Sequence, residues 1–269
     1  MVIAEQIYNS FRSVFADLMT EKGLVWNGKC FVGCHNDMIT RISIYCNVNR
    51  YNAKIDIRVL QLPIFCVSLS DMTTKLKWGV SIKRLALLES VDLPDKYDYR
   101  ASGVDDIIKK YLLYTEQIFD KKFCFSSVCE YVESKIESCR ICYESYSVKE
   151  NELNLKHHSL VNVDLISVIY TYYRIVGSEK TQSAIMALLN MYRSFLYDKM
   201  KFGNISELGA IYSEKEIQVL NKIFENYESI MRFAEALLEG NESYFYEIEK
   251  NQIRNEAECR EYINKLTKI

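Results

Sequence analysis

At 269 residues, with 49% hydrophobic and 26% charged side chains, the chain is long enough for one large domain or two small ones and too apolar for a disordered polymer. Its net charge of −2 excludes a general attraction to nucleic acid or to an acidic membrane surface. Glu5, Arg12 and Asp17 interrupt the apolar residues of the opening stretch, so neither a signal peptide nor a spanning helix is expected there, and the expectation is a cytoplasmic protein with no membrane partner.

Charge and cysteine usage add two further bounds. Residues 1–125 carry 17 Lys and Arg against 14 Asp and Glu, and residues 126–269 carry 17 against 22, so any basic surface belongs to the first half. The nine cysteines are odd in number, and Cys46, Cys66, Cys124 and Cys129 sit among apolar neighbours, where a reduced thiol packs as a small hydrophobe. Free cysteines are expected. Two prolines and nine glycines point to long regular elements with few breaks.

In chain order, Ile3, Ile7, Phe11, Val14, Phe15 and Leu18 recur at helical spacing and Gly23 follows, which predicts a first helix over 2–22. The stretch LVWNGKCFVG predicts a strand with a turn or bulge at Gly28. Ile42, Ile44, Cys46 and Val48 then alternate with Arg41, Ser43, Tyr45 and Asn47, and after NRYN the residues Ile55, Ile57 and Val59 alternate with Lys54, Asp56 and Arg58. Period two of this kind predicts two half-buried antiparallel strands joined by a hairpin. IFCVSLS and LKWGVSIK offer further strands, and Pro63 marks a strand end or sheet edge.

From about residue 103 the alternation stops. Helices are predicted over VDDIIKKYLLYTEQIF and SSVCEYVESKIESCRICYESY, and the polar stretch 147–158 is the best internal boundary. Residues 159–176 are apolar almost all round and predict the buried centre of a bundle, including Tyr170, Tyr172 and Tyr173. Ser178 starts another helix. Ser213 and Glu216 form a capping box before Ile217, Leu220, Phe224, Tyr227, Met231, Ala234 and Leu238, whose three-four spacing predicts packing along a neighbour. A last helix is expected from about Ser243 to Leu266.

The fold class expected is α+β: an N-terminal helix packed on an antiparallel sheet of about four strands, followed by a mostly antiparallel helical bundle. The expected domains are 1–146 (α+β) and 147–269 (helical). In element order, and in Gly23, Leu24 and Phe31 within EKGLVWNGKCFVG, residues 1–145 resemble a family of small uncharacterised bacterial domains of unknown function. The resemblance covers residues 1 to about 70 most fully and stops before 150. It implies no catalytic residues; it implies a bacterial or phage origin and an interaction role of the defence or toxin-neutralising type.

Three clusters could carry chemistry. Cys139 and Cys142 form a C-x-x-C pair with His157 and His158 beyond it, and Cys139, Cys142 and His157 could share one zinc ion. Those cysteines also continue the apolar stripe of Cys129, Val132, Ile136 and Tyr143, which favours core thiols and leaves the metal site as the minority reading. Cys30, Cys34 and His35 have ligand types but no second cluster of matching spacing. The three histidines are used up by these clusters, and neither G-x-x-x-x-G-K-[ST] nor G-x-G-x-x-G occurs, so no catalytic residue and no cofactor is assigned. The third cluster is the outer face of the sheet, with Arg41, Tyr45, Lys54 and Arg58 on the strands and Arg50 and Tyr51 in the hairpin. Cations beside aromatics can hold phosphates and stack bases, while Asp56 within the row argues for an ordinary polar face.

The resulting expectation is a non-catalytic, cytoplasmic protein-interaction module with a protein partner. A nucleic-acid-binding or processing factor using the sheet face is the alternative, and a homodimer through the helical half is compatible with either.

Overall fold

The computed structural model describes residues 3–49, 52–69, 72, 80–94, 96–97, 103–123, 125, 127–134, 165–200 and 214–268. The architecture is α+β, as expected: an N-terminal helix, an antiparallel sheet, then helices. The chain forms two compact units, one of Met1–Ser126 with Arg254–Ile269 and the other of Ser127–Ile253. The boundary expected at 146/147 lies outside the described residues. The observed division falls at 126/127, and the C-terminal residues return to the first unit, which no local pattern announces.

In the first unit, α1 (Ile3–Glu21) buries Ile7, Phe11, Phe15 and Leu18 of the predicted stripe and Met19 besides, with Ile3 and Val14 half-buried against the same core. It ends where Gly23 adopts a φ of 70°. The Leu24 amide donates to the Met19 carbonyl at 2.8 Å and the Gly23 amide to that of Thr20 at 3.0 Å, the paired bonds of a glycine-terminated helix. The sheet follows with β1 (Val25–Trp26), β2 (Cys30–His35), β3 (Met38–Val48) and β4 (Ala53–Pro63), consecutive and antiparallel. Two short strands, β5 (Val80–Ser81) and β6 (Lys96–Tyr97), both pair with β4.

Two turns set the register. Asn27 Oδ1 accepts the amides of Lys29 at 3.0 Å and Cys30 at 2.9 Å, holding the β1–β2 turn in which Gly28 has a φ of 93°. Asn36 and Asp37 have φ of 49° and 61°, the left-handed pair that a two-residue hairpin demands and that Asn and Asp tolerate. The predicted β3–β4 hairpin is present, with Ile44 opposite Ile57 and Val48 opposite Ala53.

Period two then sorts the side chains. Phe31, Ile42, Ile44, Ile55, Ile57 and Val59 all point into one core with α1, α2 (Ile82–Leu88) and α3 (Val104–Lys122). Phe11 sits at its centre, its ring centroid 4.8 Å from that of Phe15, 5.7 Å from Phe31 and 6.1 Å from Trp26. Lys22 donates to Asp120 at 2.9 Å and Ser10 to Asp105, which tie α1 to α3.

Two strand expectations need correcting. IFCVSLS is not a strand: Ile64–Cys66 form a 3-10 turn directly after Pro63, which ends β4 because it offers no amide to a ladder. LKWGVSIK contributes only Val80–Ser81 before α2 begins, its residues 76–79 lying outside the described set.

In the second unit, residues 128–134 are helical, and α4 (Leu165–Val176), α5 (Ser178–Met200) and α6 (Glu214–Glu239) pack with the first part of α7 (Glu242–Leu266). Tyr170 and Tyr172 are buried, as the apolar run predicted. On α6 the buried line is Ile230, Phe233 and Ala236, whereas Met231 and Ala234 are half-buried and Leu238 is 75% exposed. Phe224, Tyr227, Met231 and Ala234 of the predicted stripe pack against this core beside the more deeply buried line. Two adjacent apolar lines run along this helix, and spacing alone does not say which one is buried more deeply. Phe245 stacks on Tyr170 at 5.8 Å and meets Phe233 edge-on at 5.5 Å, closing this core.

A Cβ on Gly33 would lie 2.6 Å from the Gly23 carbonyl oxygen and 2.6 Å from Leu24 Cδ2, at the point where the helix terminus crosses the sheet. Backbone cannot yield as a flexible side chain can, so Gly33→Ala is expected to cost about 1–3 kcal/mol by overpacking, read from the denaturant midpoint.

Tyr114, 4% exposed, donates to Glu89 Oε2 at 2.8 Å, and burial together with that carboxylate pushes its phenol up to about 12. An unfolded tyrosine ionises near pH 10, so this contribution is fully present below pH 10 and is lost as pH rises through about 12. The stability advantage of the native chain over Tyr114→Phe is accordingly expected to narrow between those pH values in equilibrium unfolding.

Candidate functional site

The face of the sheet turned away from α1 carries Cys30, Val32 and Cys34 of β2, Ile39, Arg41, Ser43, Tyr45 and Asn47 of β3, and Lys54, Asp56, Arg58, Leu60 and Leu62 of β4, as the registers require. This face has two different ends. Toward the β2–β3 turn, Val32, Ile39, Arg41 and Leu62 are all buried, as is Cys30 at the start of β2. Toward the β3–β4 hairpin, Tyr45, Asn47 and Lys54 are exposed.

The six residues expected as an interaction surface therefore divide. Tyr45 is 45% exposed and stands opposite Asp56, and Lys54 is exposed opposite Asn47. Arg41 was expected beside them on an open face and is instead only 2% exposed, directly between Val32 and Leu60. Parity assigned its side of the sheet, but not the burial of that end. Arg58 is half-buried and its Nε donates to Asp56 Oδ2 at 2.6 Å, while Ser81 Oγ donates to Asp56 Oδ1, also at 2.6 Å. Asp56 is thus held by one cation and one hydroxyl. Arg50 and Tyr51 lie outside the described residues.

What remains open is a tyrosine ring between one lysine, one asparagine and a neutralised Asp56–Arg58 pair. A continuous cationic row, which would hold a phosphate backbone, is not formed by the described residues. A large ring with few torsions beside mixed polar groups is the chemistry of a protein contact.

The cysteine clusters fare differently. Cys139, Cys142 and His157 lie outside the described residues. Cys30 and Cys34 share one sheet face, as parity predicted, but His35 points to the other by the same alternation and is exposed. Among the described residues no group of three His, Cys, Asp or Glu converges on a point that could hold a metal ion. Cys30, Cys34, Cys46, Cys66, Cys129 and Cys259 are free thiols. Burial pushes the Cys30 and Cys34 thiols above their ordinary range, with Arg41 partly offsetting this for Cys30 and Arg260 for Cys34. Neither is prepared as a nucleophile, which needs the opposite shift.

The influence of Arg260 on Cys34 reveals a contact the sequence did not suggest. Residues 254–266 of α7 belong to the first unit, where Asn255 Nδ2 donates to the Phe65 carbonyl at 3.1 Å, the Cys259 thiol to that of Val67 at 3.2 Å, and Arg260 pairs with Asp37 in the β2–β3 turn. Asn255 and Cys259 are four residues apart, so one helix face meets the 64–67 segment. Their spacing was visible in the sequence; their partners, some 190 positions earlier, were not.

Among the described residues no helix is long and apolar enough to cross a membrane. No family model, curated protein or solved structure matches the chain, so the family that residues 1–145 resemble is not shown.

Proposed function

We propose that this protein is a cytoplasmic, non-catalytic interaction module that binds a protein partner on the open end of the outer sheet face, with Tyr45 as the central contact. The observation that carries this reading is the exposure of Tyr45 on a rigid paired strand, beside Lys54 and an internally neutralised Asp56–Arg58 pair. A side chain presented by a strand paired along its whole length is already positioned, so little ordering is lost on binding. The same charge arrangement favours protein over nucleic acid, because Arg41 is withdrawn from the surface and Arg58 is engaged with Asp56. A defence or toxin-neutralising role rests on the resemblance of residues 1–145 alone.

The test is affinity capture from cell extract with the full chain, Tyr45→Ala and Lys54→Glu in parallel. A stoichiometric protein partner is expected with the native chain. Tyr45→Ala should weaken its binding at least tenfold, the effect of losing a central aromatic contact, with an unchanged unfolding midpoint. Binding of single-stranded oligonucleotides that falls steeply with salt and disappears in Lys54→Glu would overturn the reading in favour of a nucleic-acid factor.

A further inference from the structure

The sheet registers continue the outer face beyond β4. Lys54 stands opposite Asn47 of β3 on one side and opposite Lys96 of β6 on the other, so the row at the hairpin end reads Asn47, Lys54, Lys96. Tyr45 and Asp56 make the next row, and Ser43, Arg58 and Ser81 the one after it. Directly opposed residues of antiparallel strands share a face, which places both lysines on the outer one.

Like charges at directly opposed positions of neighbouring strands are destabilising. The carboxylate of the adjacent row is engaged elsewhere, since Asp56 accepts from Arg58 through Oδ2 and from Ser81 through Oδ1. Lys54 is exposed, and among the described residues it has no ion pair. The excess of Lys and Arg over Asp and Glu in residues 1–125 has the same sign. A carboxylate brought to the two lysines from outside therefore offsets a repulsion built into the sheet.

We propose that the partner bound over Tyr45 is an acidic protein segment, with its carboxylates set at the Lys54–Lys96 pair. This assignment rests on the Tyr45-centred contact proposed above and adds the chemistry of its partner. Nucleic acid fits the same face less well, because a phosphate backbone crossing both cationic rows would pass over Asp56.

The test is fluorescence anisotropy with the full chain at low ionic strength and dye-labelled probes of equal length: a peptide alternating Glu with Ser, the same peptide with Gln for Glu, and oligothymidylate. The acidic peptide is expected to bind about tenfold more tightly than its Gln counterpart, and more tightly than oligothymidylate. Lys54→Gln and Lys96→Gln should each weaken it roughly two- to fivefold, the effect of one exposed ion pair, and the double variant should bind the Glu and Gln peptides alike. Lys96→Glu, which sets unlike charges opposite one another, should raise the denaturant midpoint of the free chain. Tyr45→Ala separates this assignment from the contact it rests on. Binding that depends on both lysines but ignores Tyr45→Ala overturns the Tyr45-centred contact and supports the carboxylate site, whereas Tyr45-dependent binding with the Glu and Gln peptides equal overturns the acidic partner alone. No binding of the acidic peptide, a midpoint that Lys96→Glu fails to raise, or tighter binding of oligothymidylate that the double variant loses, also overturns the acidic partner.

Discussion

The packing of α1 on the sheet decides the rest of the first unit. Phe11 projects from the helix onto Phe31 and Trp26, Phe15 packs on Phe11 one turn on, and the isoleucines of β3 and β4 complete the same core. Each such ring removes a large apolar area from water, and edge-on ring pairs add about 0.5–1.5 kcal/mol beyond that area. Because one sheet face is committed to this core, alternation sends every second residue of β3 and β4 to the other side. The outer face is therefore a consequence of the core.

That outer face is not uniform. The end near the β2–β3 turn is buried and holds Arg41 among Val32 and Leu60, whereas the hairpin end leaves Tyr45 and Lys54 in solvent. On the open end Asp56 accepts from Arg58 and Ser81, while Lys54 is exposed. This arrangement is what supports the proposed protein contact centred on Tyr45, and the described residues form no continuous cationic row.

Much of this was legible in the sequence, for local reasons. The α1 stripe, the alternation at 41–48 and 54–59, and the glycine ending α1 are short-range patterns, and each corresponds to an observed element. Parity also placed Cys30 with Cys34, and Arg41 with Tyr45, on their shared face. It could not say which part of that face the fold buries, so Arg41 was assigned to an open surface. The return of residues 254–266 to the first unit was invisible for the same reason, since Asn255 and Cys259 bond carbonyls about 190 positions away and carbonyls carry no residue code. On α6 the predicted line packs against the core except at Leu238, and the neighbouring line of Ile230, Phe233 and Ala236 is buried more deeply.

Equilibrium denaturation of Phe11→Ala beside Tyr45→Ala tests the two-faced sheet most directly. If Phe11 holds α1 to the inner face while Tyr45 stands free on the outer one, the first substitution costs about 3–5 kcal/mol and the second stays within about 0.5 kcal/mol. Comparable losses from the two would contradict the account, because Tyr45 would then be a core residue and the outer face would not be open.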